Sequence, residues 1–76
     1  MQTIKRIYQV NRRDINYLRT TIESYDGMAQ VRTIDPRKAY IEIRIANGCQ
    51  DIILELLASL KEEEGFMLIE ISMDDS

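Results

Sequence analysis

The residues that could perform chemistry are few. The chain of 76 residues contains no histidine and a single cysteine, Cys49. Without histidine there is no imidazole for acid–base catalysis, a catalytic triad or a metal site. One cysteine outside a CxxC motif also excludes the usual thiolate metal site. We interpret Cys49 as a structural residue, and the sequence predicts a protein that is not an enzyme and carries no cofactor and no metal.

One group of residues is suited to binding an anion: Asn11, Arg12 and Arg13, which follow the first predicted strand. Asn11 is a suitable N-cap residue, and the free N–H groups at the start of a helix attract anions. Two adjacent arginines would add guanidinium donors. A helix cap followed by solvated arginines is also a common surface feature, so this alternative stays open beside the anion site.

The spacing of apolar side chains indicates the elements that must position these residues. The clearest is a β-hairpin over residues 28–46, in which Ile41, Ile43 and Ile45 alternate with polar or aromatic residues. This period of two is typical of a strand that is buried on one side. Asp35 and Pro36 supply the turn between the two strands of the hairpin.

The whole chain reads as strand, helix, strand, strand, helix, strand. Strands are predicted over residues 3–10, 28–34, 39–46 and 66–73, and amphipathic helices over residues 12–26 and 49–64. Gly27 and Gly65 are suited to ending the two helices. This order predicts an α+β, ferredoxin-like βαββαβ sandwich, with an antiparallel sheet of order 4-1-3-2 and both helices on one face. We expect residues 1–76 to form a single domain.

The face of the sheet away from the helices is expected to be open. By alternation it should present Ile7, Tyr40 and Leu68, and the last strand should lie at an edge with only one charge between Phe66 and Ile71. Apolar residues on an open face and an unprotected edge favour association. The sequence therefore predicts a homodimer whose interface includes Ile7, Tyr40, Phe66 and Leu68, through the sheet face or a strand edge.

A weak RNA-binding module is the alternative for the same face. Tyr40 could stack on a base while Arg32 and Arg44 contact phosphates. The sequence pI of about 4.8 opposes this use, so nucleic acid is the less favoured partner. Residues 1–48 carry a balance of +4 and residues 49–76 a balance of −7, which add up to the net charge of −3. We interpret this asymmetry as elements that complement each other within one fold.

Composition indicates a soluble cytoplasmic protein. The chain is 45% hydrophobic and 30% charged, which is ordinary for a globular domain. No apolar run approaches 18 residues, and the N-terminus lacks the apolar segment of a signal peptide. A single cysteine fits a reducing compartment, so we expect no membrane association.

Four short runs carry a resemblance to a known family: Tyr8-x-Val10, Asp14-Ile15-x-Tyr17-Leu18, Glu23-x-Tyr25-x-Gly27-x-Ala29 and Val31-Arg32-Thr33-x-Asp35. They resemble a small bacterial family known only as a domain of unknown function. In its order of elements the chain is also similar to ACT domains, regulatory modules that bind amino acids at subunit interfaces. The resemblance implies a bacterial regulatory or interaction domain that self-associates and binds a small anionic ligand or a protein partner.

Overall fold

The elements of the computed structural model, which describes residues 3–71, follow the predicted order. The four strands are β1 (Thr3–Gln9), β2 (Ala29–Asp35), β3 (Tyr40–Ala46) and β4 (Ile69–Ile71), and the two helices are α1 (Ile15–Glu23) and α2 (Gln50–Glu62). A 3-10 turn, Arg12–Asp14, leads into α1. The predicted α+β class, with two helices and a four-stranded antiparallel sheet, is confirmed.

The strands are arranged in the order β2-β3-β1-β4, which is 4-1-3-2 when it is counted from the β4 edge. The central strands β1 and β3 pair along their whole length, from Thr3 opposite Ala46 to Gln9 opposite Tyr40. β2 pairs with the other side of β3, and β4 adds three residues beside β1. β2 and β4 therefore form the two edges of the sheet.

The core lies between the sheet and the two helices. Ile41, Ile43 and Ile45 of β3 are fully buried, as the alternation in the sequence predicts. Both helices contribute to one cluster with these isoleucines; their buried residues are Leu18 and Ile22 of α1, and Ile53, Leu57 and Leu60 of α2. Since the buried residues of β3 all lie on one face, both helices cover that face and none of the described helices covers the other.

Both helices are shorter than the sequence predicts. α1 ends at Glu23 because residues 24–27 form a turn, in which Asp26 already has a positive φ of 37° and Gly27 a φ of 80°. α2 ends at Glu62, and Gly65 follows with a φ of 75°. The left-handed conformation is open to glycine without a steric cost, so the predicted stop signals are in place.

The last strand differs most from the prediction. It begins at Ile69 rather than at residue 66, and residues 72 and 73 of the predicted strand lie outside the described residues. Phe66 instead stacks on Tyr17 of α1, with ring centroids 5.2 Å apart. Leu68 is only 4% exposed and belongs to the core. The predicted placement of Leu68 on the open face is therefore wrong, and Phe66 lies against a helix.

The reason for this difference is the pairing of β4 with β1. Glu70 lies directly opposite Tyr8, and the two carboxylate oxygens of Glu70 accept hydrogen bonds from Arg6 Nη1 at 3.1 and 2.9 Å. Arg6 and Tyr8 are on the helix side of β1, so Glu70 must be on that side as well. Alternation along β4 then turns Ile69 and Ile71 to the open face.

Candidate functional site

The open face of the sheet is covered by neither of the two helices among residues 3–71. Residues that lie opposite each other in an antiparallel sheet share a face, so the registers of the three strand pairs define its members. These are Thr3, Lys5, Ile7 and Gln9 of β1, Gln30, Arg32 and Asp35 of β2, Tyr40, Glu42, Arg44 and Ala46 of β3, and Ile69 and Ile71 of β4.

Four of these side chains form an apolar patch: Ile7, Tyr40, Ile69 and Ile71. Ile7 lies opposite Ile71, while Gln9 lies between Ile69 on one side and Tyr40 on the other. Ile69 is 49% exposed, one of the most exposed large apolar residues of the described chain. Two of the predicted interface residues, Ile7 and Tyr40, thus lie together on this face, and the isoleucines of β4 take the place of Leu68 and Phe66.

Sequence reasoning missed Ile69 and Ile71, although a signal for them was present. Both alternating sets of the last segment are apolar, so hydrophobicity does not decide which set faces the core. Arg6 decides it once the register of β4 against β1 is known, because a cation on the helix side of β1 is best placed beside a carboxylate. Glu70 is the nearest such residue in the segment, and assigning it to the side of Arg6 leaves Ile69 and Ile71 on the open face.

The open face is also basic. Lys5, Arg32 and Arg44 are opposed there by two carboxylates: Asp35, which pairs with Tyr40, and Glu42, whose Oε1 lies 3.9 Å from Arg44 Nε. The ammonium group of Lys38 lies 5.7 Å from the centre of the Tyr40 ring, which is within the range of a cation–π contact. Although the whole chain has a net charge of −3, cations outnumber carboxylates around the apolar patch.

The predicted anion site lies at one end of the sheet. The carbonyl of Asn11 accepts the N–H of Asp14 at 2.9 Å, but the side chain of Asn11 caps no N–H group. Arg12 and Arg13 are exposed on the three-residue 3-10 turn. The side chain of Asn11 therefore does not form the predicted N-cap. A turn of three residues is also too short to build up a helix macrodipole that would attract an anion.

The fold brings further basic residues to this end. The Nη2 of Arg12 donates to the carbonyl of Arg37 at 3.3 Å, and the side chain of Gln9 donates to the carbonyl of Lys38 at the same distance. The loop after β1 therefore packs on the turn of the β2–β3 hairpin. We call the resulting group the basic end; its members are Arg12, Arg13, Arg37 and Lys38.

A shallow cleft of about 270 Å³ lies between α2 and the β1–β4 edge, with Tyr8, Leu57 and Glu70 in its lining. Burial, with a further contribution from Glu70, raises the pKa of the Tyr8 phenol above its usual 10.0, against the opposing effect of Arg6. The phenol of Tyr8 therefore stays protonated at neutral pH.

Cys49 is partly buried, packs against the core and forms no disulfide. Among residues 3–71 there is no group of three or more Cys, Asp or Glu side chains that could hold a metal ion. None of the helices within this range is long and apolar enough to cross a membrane.

Comparison with models of known protein families gives a match. A family model described as a domain of unknown function, DUF4911, matches residues 8–63, which is well over half of the chain. No curated protein and no solved structure matches the chain. The matched region contains the last two residues of β1, all of β2 and β3 and both helices, and it includes the four runs on which the resemblance was based. The chain therefore belongs to the DUF4911 family.

Proposed function

We propose that this chain is a non-catalytic interaction domain of ferredoxin-like architecture that forms a homodimer through its open face. The observation that supports this is the apolar patch, which lies on a sheet face that no described helix covers. Ile69 is exposed there and Ile7, Tyr40 and Ile71 are partly exposed, and apolar side chains grouped on an uncovered face are typical of contact sites. A subunit of this size also gains from association because its own core is small.

The face supports a dimer better than the β4 edge does. β4 is only three residues long within the described chain, so its edge offers few backbone groups to a second strand. Short edge strands are one of the devices by which sheets avoid edge pairing. The open face, by contrast, offers side chains from all four strands.

The finer parts of the proposal rest on the resemblance in element order. We assign the domain an ACT-like regulatory role in a bacterial cytoplasm, where the partly buried Cys49 stays reduced. Its second partner is a small anionic ligand or another protein. The basic end is the surface that suits an anion, because four cationic side chains from two loops lie there.

Sedimentation equilibrium tests the dimer. Ile69→Glu should shift the protein to its monomer mass of 8.9 kDa, because a carboxylate on each copy would be buried against apolar surface. Ile52→Glu is the matched control: Ile52 is 45% exposed on α2, away from the open face. A wild-type chain that remains monomeric up to about 100 µM, where most specific dimers have formed, would contradict the proposal.

Titration with inorganic phosphate tests the basic end. We expect saturable shifts of the backbone amides of Arg12, Arg13 and Lys38, because these groups surround the site. The shifts should be lost when Arg12→Ala and Arg13→Ala are combined, and Lys61→Ala on α2 is the control. Linear, non-saturating shifts at millimolar phosphate would rule out this site.

Single-stranded RNA is the second candidate partner of the open face. The excess of cations around Tyr40 favours it, whereas Lys38 lies over the ring on which a base would stack. Binding through this face would be weakened by Tyr40→Ala, because stacking on an aromatic side chain is worth about 1–3 kcal/mol per base. No retardation of single-stranded RNA in a gel at low salt would exclude this use.

A further inference from the structure

The outer edge of β2 is a potential docking site for another strand. The N–H of Ala46 donates to the carbonyl of Met28 at 2.8 Å, which makes the positions 28 and 46 a hydrogen-bonded pair. Hydrogen-bonded and non-hydrogen-bonded pairs alternate along an antiparallel ladder. Val31, three positions further along and opposite Ile43, is therefore a non-hydrogen-bonded position whose N–H and carbonyl point away from β3.

That outward N–H is already occupied. The Oε2 of Glu23 accepts it at 2.9 Å. Glu23 is the last residue of α1 and is exposed, so no burial holds its side chain in place. The carboxylate oxygen lies where the carbonyl of an added strand would lie.

Without this contact the β2 edge would be suited to pairing with a second copy of itself. Consider a two-fold axis at Val31, which is the centre of the antiparallel pair. Arg32 then lies opposite Gln30 of the partner subunit, and Ala29 lies opposite Thr33 of the partner subunit. Like charges do not meet in this register, and β2 contains no proline.

We propose that Glu23 is an intramolecular cap that keeps the β2 edge closed to a second copy of this chain. Pairing of β2 with β2 requires the carboxylate to leave the Val31 N–H, and the chain that lacks the carboxylate pairs through this edge. The proposal does not depend on the open-face dimer, since the edge and the face are different surfaces.

Amide hydrogen exchange tests the cap itself. In Glu23→Ala the Val31 amide should exchange at least about tenfold faster than in the wild type, because a hydrogen bond to a charged group is lost. Glu23→Gln is the matched control and should raise the rate less than the alanine does, since its side-chain oxygen still accepts the bond without the charge. The fully buried Ile43 reports on global stability and should be unaffected in both variants.

If the Val31 amide exchanges at the same rate in the wild type and in Glu23→Ala, the proposal that Glu23 caps this N–H group is overturned. Glu23→Leu, which has no side-chain oxygen, is the second variant and must reproduce the effect of the alanine. An effect that also appears at Ile43 in both variants would assign to Glu23 a general role in stability and would equally overturn the proposal.

Sedimentation in the Ile69→Glu background tests the edge contact separately from the open-face dimer. In this background Glu23→Ala should form a dimer, whereas Glu23→Gln should stay monomeric. In that dimer, position 30 lies opposite Arg32 of the partner subunit. Gln30→Glu should therefore strengthen the dimer by opposite charge, and Gln30→Lys should abolish the dimer by like charge. A monomeric Glu23→Ala chain, or a dimer that is insensitive to both changes at Gln30, would overturn the assignment of the β2 edge, whatever the wild-type chain does through its face.

Discussion

At the scale of single residues, the neighbours Leu68 and Ile69 have opposite surroundings: Leu68 is in the core and Ile69 is on the open face. We expect Leu68→Ala to lower the free energy of unfolding by about 2–5 kcal/mol, because it leaves a cavity in the core. Ile69→Ala should change it by less than about 0.5 kcal/mol, as exposed substitutions do. Urea denaturation at low protein concentration measures both. A larger loss of stability in Ile69→Ala than in Leu68→Ala would mean that Ile69, and not Leu68, is on the core side.

Tyr8 makes the stability of the folded chain depend on pH in the alkaline range. Burial raises the pKa of this phenol in the folded chain above its unfolded value, so the folded state holds the proton more tightly. This contribution to stability is complete below about pH 10 and is lost as the pH rises through the folded pKa. Tyr8→Phe should therefore lose less stability between about pH 9 and about pH 11 than the wild type. Urea denaturation of both proteins across this pH range measures the difference. Equal losses of stability in the wild type and in Tyr8→Phe would contradict this account.

At the scale of elements, the end of α2 depends on Gly65. Its φ is 75°, and a Cβ added there would meet nothing within 4 Å. The cost of Gly65→Ala is therefore conformational, about 1–2 kcal/mol for a left-handed non-glycine residue. Gly65→Asn should cost less, because asparagine tolerates this region better. Thermal unfolding of the two variants measures the difference, and equal losses would point to a cause other than backbone conformation.

At the scale of the whole molecule, the distribution of charge separates the two uses of the open face. Two copies that meet face to face bring like charges together, since on each copy the cations Lys5, Arg32, Lys38 and Arg44 outnumber the carboxylates Asp35 and Glu42. Raising the salt concentration from about 50 mM to about 500 mM should therefore strengthen the dimer by screening this repulsion. Binding of RNA to the same face should weaken, because phosphate contacts release counterions. Sedimentation and gel retardation at both salt concentrations distinguish the two partners, and a dimer that salt weakens would argue against a face-to-face contact.

The local pattern of the sequence was sufficient to determine the type and order of the elements. The alternation of Ile41, Ile43 and Ile45 defines β3, and Asp35 closes the hairpin turn as expected, with its Oδ1 accepting the N–H groups of Arg37 and Lys38. These signals depend on residues a few positions apart. Their physical basis is local, namely side-chain period and backbone conformation, so they can be read without knowing the fold.

Only the tertiary structure decided how the surfaces are composed. The facing of β4 depends on the contact between Arg6 and Glu70, which are 64 positions apart, and both alternating sets of its apolar residues would satisfy the sequence pattern. The joining of Arg12 to the hairpin turn and of Glu23 to Val31 likewise follows from strand order and helix length. Such contacts have no periodic signal, because they arise from which ends of the sheet come together and where a helix stops.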